Sequence, residues 1–180
     1  MNPFAFKGRR DYLHSTTVFD YILGEIGGEP RKIDFKFNKR TDRVCVLTDY
    51  KPAQDATPVV TYTDSERTLY MIETGTGISE HVPYDEDDLA KSFHIECRMI
   101  HIPAGVRSNS FIECVVAAYK RLLLDLHGKH RFAFARICLE HIPQAAFTVE
   151  YTRKLSGGFY QGAISENGRA IGRIFFGEWI

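Results

Sequence analysis

The longest helical periodicity in the chain runs from Phe111 to His127, where Phe111, Ile112, Val115, Val116, Tyr119, Leu122, Leu123 and Leu126 recur at steps of three and four. Lys120, Arg121 and Asp125 gather on the remaining side, so the apolar stripe is wide and predicts a mostly buried helix. Its ends are marked. Ser110 followed three positions later by Glu113 fits a capping box, and Gly128 supplies a residue suited to the left-handed turn after the last helical position. A helix of this length spans roughly 25 Å at about 1.5 Å per residue, and a sheet must curl to bury it.

Strand patterns occupy most of the remainder. The segment Arg10 to Leu23 is rich in Tyr, Thr, Val, Phe and Ile and closes on Gly24 and Gly27-Gly28, which predicts a strand and a turn. Ile33, Phe35 and Phe37 alternate with Asp34 and Lys36, and Val44 to Leu47 follows a polar turn. Val59 to Thr63 and Thr68 to Glu73 predict a hairpin. Gly75 to Ser92, with its acidic run Asp85 to Asp88, reads as irregular surface with at most one helical turn. Phe93 to Ile102 alternates as a single strand leading to the helix. After it, Arg131 to Glu140, Phe147 to Leu155, Phe159 to Ser165 and Ala170 to Trp179 read as strands, with Asn167-Gly168 as a hairpin turn. The pattern contains no linker or internal repeat, so residues 1–180 are expected to form a single α+β domain. Its helix covers about 110–127 and its C-terminal meander about 131–179.

Composition narrows the function classes. With 44% hydrophobic and 26% charged residues the chain is ordinary for a globular protein, and 23 basic residues balance 23 acidic ones. No basic excess accompanies the aromatics, which argues against nucleic acid as a partner. No apolar run is long enough for membrane insertion and no signal-peptide core opens the chain, so a cytoplasmic protein is expected. Cys45, Cys97, Cys114 and Cys138 are widely spaced and read as reduced, packed thiols.

His101 and Glu113 are the leading candidates for chemistry. An imidazole with an ordinary pKa of about 6.5 can remove a proton at neutral pH, and a carboxyl group made less acidic by burial can return one. The helix start adds N–H donors that could polarise a thioester carbonyl. Glu113 also has a purely structural role open to it, accepting the Ser110 N–H in the capping box, and His101 between Ile100 and Ile102 could be a hydrogen-bonded structural residue. His14, beside Ser15, Thr16 and Thr17, offers hydroxyls near an imidazole, but spacing fixes no companion acid. A metal site at His94, Cys97 and His101 is disfavoured, since odd steps along a strand face opposite ways.

The segment H-I-P-A-G followed by S-F-I-E-C-V-V-A-A resembles the loop and helix of the hotdog-fold 3-hydroxyacyl-thioester dehydratases, with Ala104 standing between Pro103 and Gly105. Chain order is similar too: strands, a buried helix, then a meander. The resemblance implies an antiparallel sheet wrapped around one long central helix, and a homodimer with sites shared between subunits. It implies His101 as base and Glu113 as acid acting on an acyl-CoA or acyl-carrier-protein thioester of lipid or polyketide metabolism, without a cofactor or metal. Gly105, Ser110 and Phe111 would line the substrate site, with Arg153 and Lys154 meeting the phosphates of coenzyme A or pantetheine. A thioesterase on the same fold, with Glu113 activating water, and a non-catalytic acyl-thioester binding protein are the alternatives.

Overall fold

The computed structural model describes residues 4–104, 109–128 and 131–179. The N-terminal strand β1 (Phe6–Lys7) leads to helix α1 (Ser15–Ile26), followed by β2 (Ile33–Phe37), β3 (Arg43–Thr48), β4 (Val60–Thr63) and β5 (Thr68–Gly77). A two-residue strand β6 (His81–Val82) pairs in parallel with β1, and the short helix α2 (Glu86–Lys91) follows. Then come β7 (His94–Glu96), β8 (Met99–Ile102), the long helix α3 (Phe111–His127), β9 (Arg131–Leu139), β10 (Phe147–Leu155), β11 (Phe159–Glu166) and β12 (Arg169–Trp179).

Ten of these strands make one sheet in the order β3-β5-β4-β2-β9-β12-β11-β10-β8-β7. The pairing of β2 with β9, Phe35 opposite Ile137, joins two halves of this sheet. Each half has a helix immediately before the strand it places at this seam: α1 before β2, and α3 before β9. The helices touch each other and pack on the same face, where Phe19 of α1 meets Phe35 at 5.2 Å between ring centroids and Tyr119 of α3 meets Phe176 at 5.3 Å.

The helix α3 and the C-terminal meander follow the sequence pattern closely, and the hairpin turn has Asn167 at φ 50° and Gly168 at φ 76°. Three expectations are corrected. The segment from Arg10 to Leu23 does not form a strand; from Ser15 onward it is α1, because Val18, Phe19, Ile22 and Ile26 fall at steps of three and four and bury one stripe against the core. Tertiary burial outweighs the β preference of its Thr, Val, Phe and Tyr residues. Phe93 to Ile102 is two strands instead of one, reversed at Cys97, which takes φ 55° and is exposed, unlike the packed Cys45 and Cys114. The acidic run is not wholly surface: Asp85 caps α2, accepting from the Asp88 N–H at 2.9 Å, but Glu86 is 7% exposed and accepts from Arg10 at 2.9 Å and from Lys120. Thus α2 covers the polar side of α3, with the Arg121 guanidinium donating to the Ala90 and Phe93 carbonyls. Among the described residues no helix is long and apolar enough to cross a membrane.

Candidate active site

The start of α3 gathers polar groups from β1, α1 and α3 itself. Ser110 is the N-cap: its Oγ accepts the Glu113 N–H at 3.3 Å, and Glu113 Oε2 accepts the Ser110 N–H at 3.1 Å, so the capping box is complete. The first two helical N–H groups, of Phe111 and Ile112, have no intrahelical acceptor and leave positive partial charge at the helix end. Glu113 Oε2 also accepts from Asn109 Nδ2 at 3.1 Å, and Glu113 Oε1 accepts from Lys7 Nζ. Burial pushes the Glu113 carboxyl upward, but the Lys7 hydrogen bond and charge, with the Asn109 and Ser110 donors, prevail and hold it below the usual glutamate value. Glu113 is therefore a carboxylate with its lone pairs engaged, poorly suited to giving up a proton.

A second carboxyl reaches the same place from α1. Asp20 is half-buried, and burial pushes its pKa up to about 6, opposed by a hydrogen bond from the Ser110 hydroxyl and the Lys7 charge and assisted by the Glu113 charge. It faces the helix start as a base of near-neutral strength. Sequence reading missed Asp20, Lys7 and Asn109. The signal available was an acid set inside the apolar run V-F-D-Y-I, which carries meaning once that run is a helix.

His101 lies elsewhere. Its strand neighbours Ile100 and Ile102 are 0% and 2% exposed against the core, so alternation turns the imidazole to the face of the sheet opposite α3. There its ring lies tilted at 6.0 Å from His94, its Nε2 is 3.7 Å from Glu96 Oε2, and it lines a groove of about 700 Å³ with Met99, Thr148 and Glu150. The sheet separates His101 from Glu113, and the structure does not bring the expected pair together. Phe111 packs its ring 5.3 Å from Phe147 beside the helix start. Arg153 and Lys154 are at the other end of β10 from Phe147, roughly 20 Å away along the strand at about 3.3 Å per residue. Arg153 donates to Gln161 at 3.4 Å and Lys154 to Glu178 at 3.1 Å. Gly105 falls outside the described residues.

No model of a known protein family matches the sequence, and no curated protein is similar to it in sequence. Similarity appears in three dimensions. A candidate thioesterase II from Thermobifida fusca YX superposes with a TM-score of 0.50 at 13% identity, covering 100% of this chain and 90% of the other. The TesB protein of Mycobacterium avium subspecies paratuberculosis superposes with a TM-score of 0.52 at 10% identity, covering 98% of this chain and 91% of the other. The chain has the hotdog fold. In this hotdog sheet the polar cluster sits where the buried helix begins, flanked by the second helix, and the groove at His101 lies on the outer face.

Proposed function

We propose that the protein hydrolyses acyl thioesters, carried on coenzyme A or on the pantetheine arm of a carrier protein, at the start of α3 with Asp20 as general base. One observation carries this reading: a half-buried carboxyl near neutral strength, from one helix, hydrogen-bonded to Ser110 at the start of the other, where the first two N–H groups have no intrahelical acceptor. Asp20 takes a proton from water as the water oxygen bonds to the thioester carbon. Charge developing on the carbonyl oxygen is met by the Phe111 and Ile112 N–H groups. The carbon–sulfur bond then breaks, the thiol leaves with the proton held by Asp20, and the carboxylic acid remains. Glu113 and Lys7 position Ser110, and through it Asp20. The likeness in fold to a candidate thioesterase II supports the assignment.

Dehydration of a 3-hydroxyacyl thioester would need His101 and Glu113 at one substrate, which the intervening sheet disfavours. The edge-to-edge pairing expected of a homodimer has a counterpart inside one chain, where β2 pairs with β9. A reducing, cytoplasmic setting suits the four free cysteines. The test is to incubate the purified chain with saturated and 3-hydroxyacyl thioesters while following thiol release and enoyl absorbance. Thiol release abolished by Asp20→Asn and retained in His101→Ala is the expected result. Enoyl formation dependent on His101 would replace hydrolysis with dehydration, and saturable acyl-CoA binding without turnover would make the protein a binder.

A further inference from the structure

The expectation that His94 and His101 sit on one strand does not hold, because the chain reverses at Cys97. Strands β7 and β8 form an antiparallel hairpin at one end of the ten-stranded sheet, and within it His94 stands directly opposite His101. Both belong to the outer face, since the next pair along, Ile95 with Ile100, turns to the core, where Ile100 is fully buried. We propose that these two imidazoles together bind one divalent transition cation of the zinc, nickel or copper kind. This inference does not rest on the acyl-thioester reading.

Residues directly opposite in an antiparallel pair carry Cβ atoms about 4.5–5.5 Å apart, so two side chains of equal length can reach one point. The ring centroids of His94 and His101 are 6.0 Å apart, with planes at 36°. A zinc–nitrogen bond of about 2.0–2.1 Å sets an ion roughly 3.2 Å from the centre of the ring that holds it, so two rings sharing an ion have centroids at most about 6.4 Å apart. The observed spacing lies inside that limit, and only side-chain torsions need to adjust. A second, independent observation points to a ligand. Although 42% of the His101 side chain is exposed, its Nε2 is shielded from solvent and has no hydrogen-bond partner. Glu96 Oε2 stands 3.7 Å away on the same face, too far for a hydrogen bond but near enough to add negative charge beside an ion. Glu150 lines the adjoining groove of about 700 Å³, and no Lys or Arg does. Imidazole nitrogen suits zinc, nickel and copper, whereas magnesium takes oxygen ligands. Among the described residues no third His, Cys, Asp or Glu completes the set, so water in the groove fills the remaining positions.

The experiment is a calorimetric titration of the untagged full chain with Zn²⁺ near neutral pH. Saturable one-to-one binding is expected, weakened about tenfold or more in His94→Ala and equally in His101→Ala, because a single imidazole cannot hold the shared ion. Affinity should stay within about threefold of wild type in Cys97→Ser, which removes the exposed thiol at the turn, and in His81→Ala, an exposed histidine outside the groove. Excess Mg²⁺ should not compete. Thermal denaturation confirms that each variant is folded. Imidazole ¹⁵N spectra of the wild type read the same contact without substitution, and the His94 and His101 signals should shift together and saturate at one ion per chain. The proposal is overturned by absence of saturable Zn²⁺ binding, by undiminished affinity in either groove-histidine variant, by a loss in Cys97→Ser or His81→Ala as large as in those variants, by competition from Mg²⁺, or by ring signals that move for one of the pair alone.

Discussion

Lys7, in the two-residue strand β1, and Glu113, in the first turn of α3, form an ion pair with only 11% and 12% of their side chains exposed, although 106 positions separate them. Lys7 Nζ also donates to Thr16 Oγ1 at 2.9 Å. One ammonium group thus ties the N-terminal segment, α1 and α3 together at the point where Asp20 meets Ser110.

Removing Glu113 should therefore be costly for stability. Glu113→Ala loses half of a capping box, worth about 1 kcal/mol, and strands a buried lysine, which in comparable pairs costs about 3–5 kcal/mol. We expect a loss of about 3 kcal/mol in urea denaturation, and a smaller loss for Glu113→Gln, which keeps an acceptor at the third helical position. The pH dependence has a definite sign. The folded pKa lies below the usual 4.5, so the stabilisation is fully present above that value and disappears as pH falls through the lowered folded value. The gap between wild type and Glu113→Gln should narrow on acidification below about 4.5. A constant gap would remove the charge from the account.

Asp20→Asn should act in opposite directions on activity and stability. Raising the carboxyl pKa from 3.8 to about 6 means that ionisation is harder in the folded state than in the unfolded one. The resulting destabilisation is absent below the unfolded pKa and complete above about 6. At pH 7.5 the Asn variant should be more stable than wild type by about 1 kcal/mol, allowing for partial exposure, with no gain near pH 3.5. Wild-type thioester hydrolysis should fall as pH drops through about 6, and Asp20→Asn should lower it by about 100-fold or more, the scale of a lost general base. An active, unstabilised Asn variant would displace Asp20 from the site.

His101→Ala offers the complementary check. Because the imidazole faces away from α3, hydrolysis should change by less than about threefold and stability by less than about 1 kcal/mol, as expected for a partly exposed side chain outside the core. A large loss of kcat with an unchanged unfolding midpoint would return His101 to the chemistry.

How far these residues could be read from sequence depended on what kind of signal carried them. The helix from Phe111 to His127 and its capping box were legible because periodicity and end signals are local, and the meander was legible because alternation and Asn167-Gly168 are local too. The helix at Ser15 was hidden, since β-branched and aromatic residues outweigh a short stripe unless the core it buries against is known. Glu113 was found and its engagement with Ser110 foreseen. Its partner Lys7 is 106 positions away, and no spacing rule reaches that far. His101 was misplaced because loop order along the chain does not say which face of a strand a residue takes; the burial of Ile100 and Ile102 decides it.

The curl of the sheet makes its own prediction at two glycines. A methyl group at Gly172 in β12 would meet the Cys138 carbonyl oxygen at 2.4 Å and the Leu139 Cδ2 at 2.7 Å, across the pairing of β12 with β9. A methyl group at Gly162 in β11 would meet the Tyr119 ring at 2.7 Å. The two obstacles differ in kind. Tyr119 can tilt within its contact with Phe176, so Gly162→Ala should cost about 1–3 kcal/mol, the usual range for overpacking. At Gly172 the obstacle is the backbone of the strand that joins the two halves of the sheet, and relief requires β9 and β12 to separate. Gly172→Ala should therefore cost more than Gly162→Ala, about 3 kcal/mol or above, measured as the difference in urea midpoint at equal m-value. Amide exchange should show the loss concentrated along β9 and β12. Equal costs for the two variants, or exchange that quickens evenly over the whole sheet, would mean that β9 yields as easily as a side chain does.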